Sequence, residues 1–100
     1  MAKTKQEIID DILNHIHKNS TDSDYWYVGI TKDIEERLFT FHNVTSCYIY
    51  RQAPSSKIAR EIETYFLELG ADGGSGGGDD DSSFVYAYKI TNNTKEREEE

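Results

Sequence analysis

Between residues 5 and 17 the chain reads KQEIIDDILNHIH. Ile8, Ile9, Ile12, Leu13 and Ile16 recur there at the three- and four-residue spacing of one helical face. NSTDSD then breaks the run with residues that favour turns. YWYVGIT alternates as a strand, and IEERLFTF returns to helical spacing. Asp33 stands before that second helix with Glu36 three residues on, the pairing of a capping box. SCYIYRQA predicts a second strand. PSSKIAREIETYFLELG predicts a third helix, with Pro54 before it, a serine cap and Gly70 as its stop. ADGGSGGGDDDS has the composition of a flexible loop, and SFVYAYKIT predicts a third strand. The expected order is α-β-α-β-α-β, with no internal repeat.

Side chains of a strand alternate between faces. Trp26, Val28, Ile30, Cys47, Ile49, Val85 and Ala87 share one parity and make an ordinary apolar face. Tyr25, Tyr27, Tyr48, Tyr50, Phe84, Tyr86 and Tyr88 share the other, which gathers six of the seven tyrosines. Two readings stay open. Helices cover both faces and tyrosine packs the wetter one, or the tyrosine face is a site. In the third helix, Ile58, Ile62, Tyr65, Phe66 and Leu69 form the apolar arc. Glu63 falls on its flank between Ala59 and Leu67, while Glu61 and Glu68 fall toward solvent.

One hundred residues fit one domain, expected over residues 1–92 and followed by an acidic tail over 93–100. That length can bury a core without disulfides or metals. At 36% hydrophobic and 30% charged residues, a soluble globular chain is expected. No apolar run approaches the roughly 20 residues that span a bilayer, and the N-terminal stretch lacks the apolar centre of a secretory signal. Cys47 is the lone cysteine, which excludes an internal disulfide and suits a reducing cytoplasm. The sequons at Asn19, Asn43 and Asn92 therefore carry no weight. Net charge is −8, with part of the excess in KEREEE and part in Asp79–Asp81. No basic stripe remains, which argues against binding DNA by charge alone. His15 and His17 are two apart and point to different faces of their helix, so they do not make a metal pair.

Tyr27-Val28-Gly29 closes on a glycine with Thr31 two residues on, Arg37 lies eight residues after Gly29, and Ala59 and Glu63 form an Ala-x-x-x-Glu run on a later helix. In these residues, from Tyr25 to Gly70, the chain resembles the GIY-YIG nuclease superfamily, metal-dependent phosphodiester-cutting domains. Tyr27-Val28-Gly29 and Thr31 match the family's second signature strand, Arg37 its helix arginine and Glu63 its metal-binding glutamate. No Gly-Ile-Tyr strand precedes Tyr27. FVYAYK, from the C-terminal end, is expected to fill that place in the sheet, which would stand Tyr86 or Tyr88 where the family's first tyrosine stands. The family's helix histidine is often four residues after the arginine; that position is Phe41, and His42 comes one step later. The resemblance implies a small α+β fold, a three-stranded, largely antiparallel sheet flanked by three helices.

It also implies a chemistry. Phosphodiester hydrolysis needs an activated water and relief of charge at phosphorus, and a divalent ion does both. Mg²⁺ or Mn²⁺ is the implied cofactor and Glu63 its implied ligand, since Mg²⁺ is usually held by one or two carboxylates. Arg37 would grip a phosphate, and Tyr27 would orient the attacking water. His42, Tyr86 and Tyr88 complete the candidate set, and the implied partner is nucleic acid. Bland readings stand beside these: a boundary glutamate paired with a nearby cation, Arg37 paired with Asp33, and Tyr27 as strand packing. The glycine loop reads as a surface connection or as a metal-assisted lid. The competing function is a catalytically silent relative, an acidic domain whose tyrosine face meets a protein partner. Convergence of Tyr27, Arg37 and Glu63 on one groove is what the nuclease reading requires.

Overall fold

A computed structural model describes residues 4–19, 26–44, 48–73 and 82–90. Tyr25, Cys47, Asp79–Asp81, Asn92 and the acidic tail lie outside the described residues. The elements follow the expected order: α1 (Lys5–Asn19), β1 (Trp26–Thr31), a π helix (Glu35–Phe41), β2 (Tyr48–Gln52), α2 (Ser56–Glu68) and β3 (Phe84–Lys89). The result is a small α+β fold. None of the described helices is long and apolar enough to cross a membrane.

The sheet runs β1-β3-β2, antiparallel throughout, so the last strand is the central one. Two rows cross its polar-tipped face. Tyr27 stands opposite Tyr88, which stands opposite Tyr48. Gly29 stands opposite Tyr86, which stands opposite Tyr50. The outer edge of β1 is partly covered as the chain leaves α2. Val28 N–H donates to the Asp72 carbonyl at 2.9 Å, and Asp72 N–H donates to the Trp26 carbonyl at 2.8 Å.

Two cores result, one on each face. Trp26, Val28, Ile30, Ile49, Val85 and Ala87 pack under α1 and α2. Four isoleucines of α1 (Ile8, Ile9, Ile12 and Ile16) are buried there, each worth about 1.5–3 kcal/mol over exposure. The other face is closed by the π helix, through a cluster of Tyr27, Leu38, Val44, Tyr86 and Tyr88. The tyrosine face is thus an interior. Tyr50, 43% exposed, is the tyrosine of β2 and β3 left most open.

The helix boundaries follow from local chemistry. Ser55 Oγ accepts the Ile58 N–H at 3.2 Å, the expected serine cap. Gly70 ends α2 with φ 107°, a backbone that disfavours any side chain, and Ala71 N–H reaches back to the Phe66 carbonyl. The apolar arc of α2 is turned from its sequence expectation. Ala59, Ile62, Glu63 and Phe66 are buried, while Tyr65 and Leu69 are exposed. The close packing of α2 against β1 draws the small Ala59 inward, and Glu63 comes with it.

The segment after β1 departs from an ordinary helix. Asp33 Oδ1 accepts the Glu36 N–H at 3.1 Å, as the capping pattern predicts. Beyond it the backbone widens: His42 N–H bonds to the Arg37 carbonyl, five residues back, at 3.0 Å. Asn43 then takes a left-handed φ of 57°, and Val44 N–H closes on the Leu38 carbonyl.

Candidate active site around Tyr86

Tyr86 sits mid-strand on the central strand, 1% exposed. Its ring leans across β1 at Gly29. A Cβ built on Gly29 would fall 2.5 Å from the Tyr86 hydroxyl oxygen and 2.7 Å from Cζ. Real Cβ atoms do not approach so closely, so glycine is required here for space rather than for backbone freedom.

His42 reaches the same hydroxyl from the π helix. Its Nε2 is 2.9 Å from Tyr86 Oη, and its Nδ1 is 2.9 Å from Tyr88 Oη. The imidazole is fully buried and both ring nitrogens are engaged. Tyr27 closes the cluster, its ring centroid 4.8 Å from that of His42. The rings of Tyr27, Tyr86 and Tyr88 lie nearly parallel, at 7–21° to one another. The π winding accounts for a histidine one residue late: an α turn bonds residue 41 back to Arg37, whereas here it is His42, five residues on, whose N–H reaches the Arg37 carbonyl.

The Arg37 guanidinium lies near the Tyr86 hydroxyl and favours its ionised form. Burial pushes the Tyr86 phenol up, and the nearby Tyr27 and Glu63 push it further. The Arg37 guanidinium pulls it back down only in part. Tyr27, Arg37 and Glu63, from three separate elements, thus all influence the Tyr86 phenol electrostatically. The sequence-level alternative of an Arg37–Asp33 pair is not what holds Asp33, whose carboxylate caps the π helix.

Glu63 enters from α2 and is 7% exposed. Among the described residues no hydrogen bond reaches its carboxylate. Burial raises its pKa to about 7, against a smaller opposing pull from Arg60 one turn earlier. A carboxylate held without donors in a dry place is costly. Such a group is often retained for chemistry. Among the described residues no set of three or more His, Cys, Asp or Glu forms a cage for a metal ion. A single buried carboxylate short of partners fits the looser manner of Mg²⁺, which keeps most of its ligands as water and phosphate.

The opening to solvent lies beside Arg37, in a groove of about 360 Å³ lined by Ile30, Thr31, Lys32, Asp33, Glu36, Arg37 and Ser82. Convergence was expected on an open groove; of the three residues, Arg37 lines this one, while Tyr27 and Glu63 are buried. Lys32 and Ser82 at the groove carried no signal in sequence beyond their neighbourhood to the strand ends. Thr31 Oγ1 is 3.0 Å from the Asp33 N–H it accepts, which shapes the groove's rim.

No family model, curated protein or solved structure matches this chain.

Proposed function

We propose that this domain is a divalent-cation-dependent phosphodiesterase that cuts nucleic acid, a divergent relative of the GIY-YIG nucleases. One observation supports the reading: Tyr27, Arg37 and Glu63, from three separate elements, all lie near enough to influence the Tyr86 phenol electrostatically. β3 also takes the position between β1 and β2, so Tyr86 and Tyr88 come from a strand next to Tyr27 and Gly29.

The residues divide the work. Arg37, at the boundary of groove and interior, binds a phosphate oxygen and stabilises charge that develops in the transition state. Lys32, Thr31 and Ser82 line the same groove and add donors. Glu63 holds the cation, which supplies Lewis-acid activation of water and phosphate when bound. Tyr86, next to Arg37, is the oxygen best placed to handle the proton of the attacking water. Tyr27 packs Tyr86 and His42 from the β1 side. The competing reading, a protein partner on the tyrosine face, loses most of its surface, since Tyr27, Tyr86 and Tyr88 lie under the π helix.

The test uses low salt, because a chain of net charge −8 has few phosphate contacts to lose. With Mg²⁺ or Mn²⁺, the purified protein should nick plasmid DNA or cut RNA, and Glu63→Ala should abolish it. Amide shifts in a metal titration should move first around Glu63. No cutting and no shift at millimolar metal would contradict the reading.

A further inference from the structure

The two edges of the sheet are finished differently. Opposed residues of an antiparallel ladder alternate between pairs that exchange backbone hydrogen bonds and pairs that point theirs away. Ala53 N–H donates to the Ser83 carbonyl at 2.8 Å, which fixes the alternation for β2. Ile49 and Arg51 then turn their backbone groups toward β3, opposite Ala87 and Val85. Tyr48, Tyr50 and Gln52 turn theirs outward. Carried across β3, the same alternation turns Trp26 and Val28 outward on β1, and there both meet Asp72. Among the described residues no backbone group bonds to the outward groups of β2. A side chain does. Arg51 Nη1 donates to the Tyr50 carbonyl at 2.7 Å, while Arg51 Nε donates to Asp11 Oδ2 of α1 at 3.0 Å. Arg51 thus reaches the edge while anchored to α1. A charge placed on an open edge is one way that sheets avoid pairing with other chains.

We infer that the outer edge of β2 is a pairing surface for a second copy of this chain, and that the Asp11–Arg51 clasp holds it shut. The edge is complementary to itself. Set antiparallel about a two-fold axis at Tyr50, it opposes Tyr50 to Tyr50 of the second copy and Tyr48 to Gln52. Both members of each such pair are outward, so each pair can exchange hydrogen bonds. This register is also the one that uses all five residues of the strand. The side chains agree with it. Phe39, 38% exposed, packs edge-on against Tyr48 at 5.3 Å, and Tyr50 is 43% exposed on the same side of β2. Pairing sets the two Tyr50 rings side by side as cross-strand neighbours. An unrelated extended peptide would match the backbone but not this symmetric meeting of rings. The obstacle is the Tyr50 carbonyl, which lies at the axis and is needed twice per dimer. Arg51 competes for it in each copy. A five-residue edge covers little area, so the opened pair is a weak one. None of this depends on the phosphodiesterase reading.

Sedimentation velocity over a concentration series tests this, in moderate salt because two chains of net charge −8 repel. Arg51→Ala should associate about tenfold or more tightly than wild type, since two carbonyls are freed per dimer. Asp11→Asn leaves β2 unchanged and only unpins the guanidinium, so it should move the same way by less. Amide exchange locates the contact. The Tyr48, Tyr50 and Gln52 N–H groups should exchange fast in dilute wild type and slow as Arg51→Ala is concentrated. If both variants stay as monomeric as wild type, the inference is overturned. Dimers whose slowed amides lie elsewhere overturn it too, because the interface is then another surface. Protection of these three amides at every dilution, wild type included, would mean that the chain's own remaining residues already cover the edge, which also overturns it.

Discussion

Gly29 and Tyr86 face each other across the β1–β3 ladder, and the tyrosine's hydroxyl occupies the space a Gly29 side chain would need. The glycine of the Tyr-Val-Gly stretch is therefore a notch cut for one specific oxygen. That oxygen is in turn held by His42, 2.9 Å away, so it cannot simply swing away.

Gly29→Ala should therefore do more than fill space. The methyl group must push Tyr86 off its partners, at a cost of about 1–3 kcal/mol. Urea denaturation should show the loss, and the His42 ring resonances should move with it. An unchanged midpoint with unchanged His42 signals would contradict the notch.

Glu63 makes a prediction with a sign. Its proton is held to about pH 7 in the folded chain, against 4.5 for an ordinary exposed glutamate. Below pH 4.5 the group is neutral in both folded and unfolded states and contributes nothing. Between 4.5 and 7 the unfolded chain gives up its proton while the folded chain keeps it, so stability falls as pH rises. Above 7 the full penalty is present. A shift of this size corresponds to ~3 kcal/mol unscreened, which solvent near the carboxylate reduces to on the order of 2 kcal/mol. Glu63→Gln should stabilise the protein at pH 8 and leave it unchanged at pH 4. Equal midpoints at both pH values would show that the carboxylate is not buried at a cost.

The same proton competes with a cation. Affinity for Mn²⁺ at Glu63 should drop as pH falls below about 7, approaching tenfold per unit. Calorimetry at pH 6 and pH 8 reads this directly. A pH-independent affinity would place the ion elsewhere.

The strand register yields a topological prediction. Lys89, at the end of β3, is the register partner of Trp26, at the start of β1. A chain in which a short turn joins residue 90 to residue 26, with new termini between residues 74 and 81 and α1 supplied at the new end, should keep the sheet. Backbone contacts between Gly29 and Tyr86 would report it. Loss of those contacts would mean that the present connectivity is needed to hold β3 in the centre.

Much of this was legible in the sequence. The stripe of Ile8, Ile9, Ile12 and Ile16, the Asp33 and Ser55 caps and the Gly70 stop rest on local rules, and each appears where those rules put it. Strand parity separated the two faces correctly. It left open what covers the tyrosine face, because that depends on where the π helix folds back. The widened turn at Arg37 and His42 has no periodic signal, so His42 reads as displaced by one residue until its backbone bond is known. Glu63 reads as a flank residue because helix rotation is set by contact with β1, a non-local effect. The place of β3 between β1 and β2 is non-local for the same reason; only its pairing with β1 was expected, and that through the family resemblance.

The most direct test of the central claim is the cleavage rate of Glu63→Gln at pH 8, in Mn²⁺ and low salt, beside the wild type. The substitution keeps the size of the side chain and removes its charge. The account predicts a variant that is more stable than wild type yet cuts at least about 100-fold more slowly. Wild-type cutting by the stabilised variant would contradict the assignment of Glu63, and with it the site.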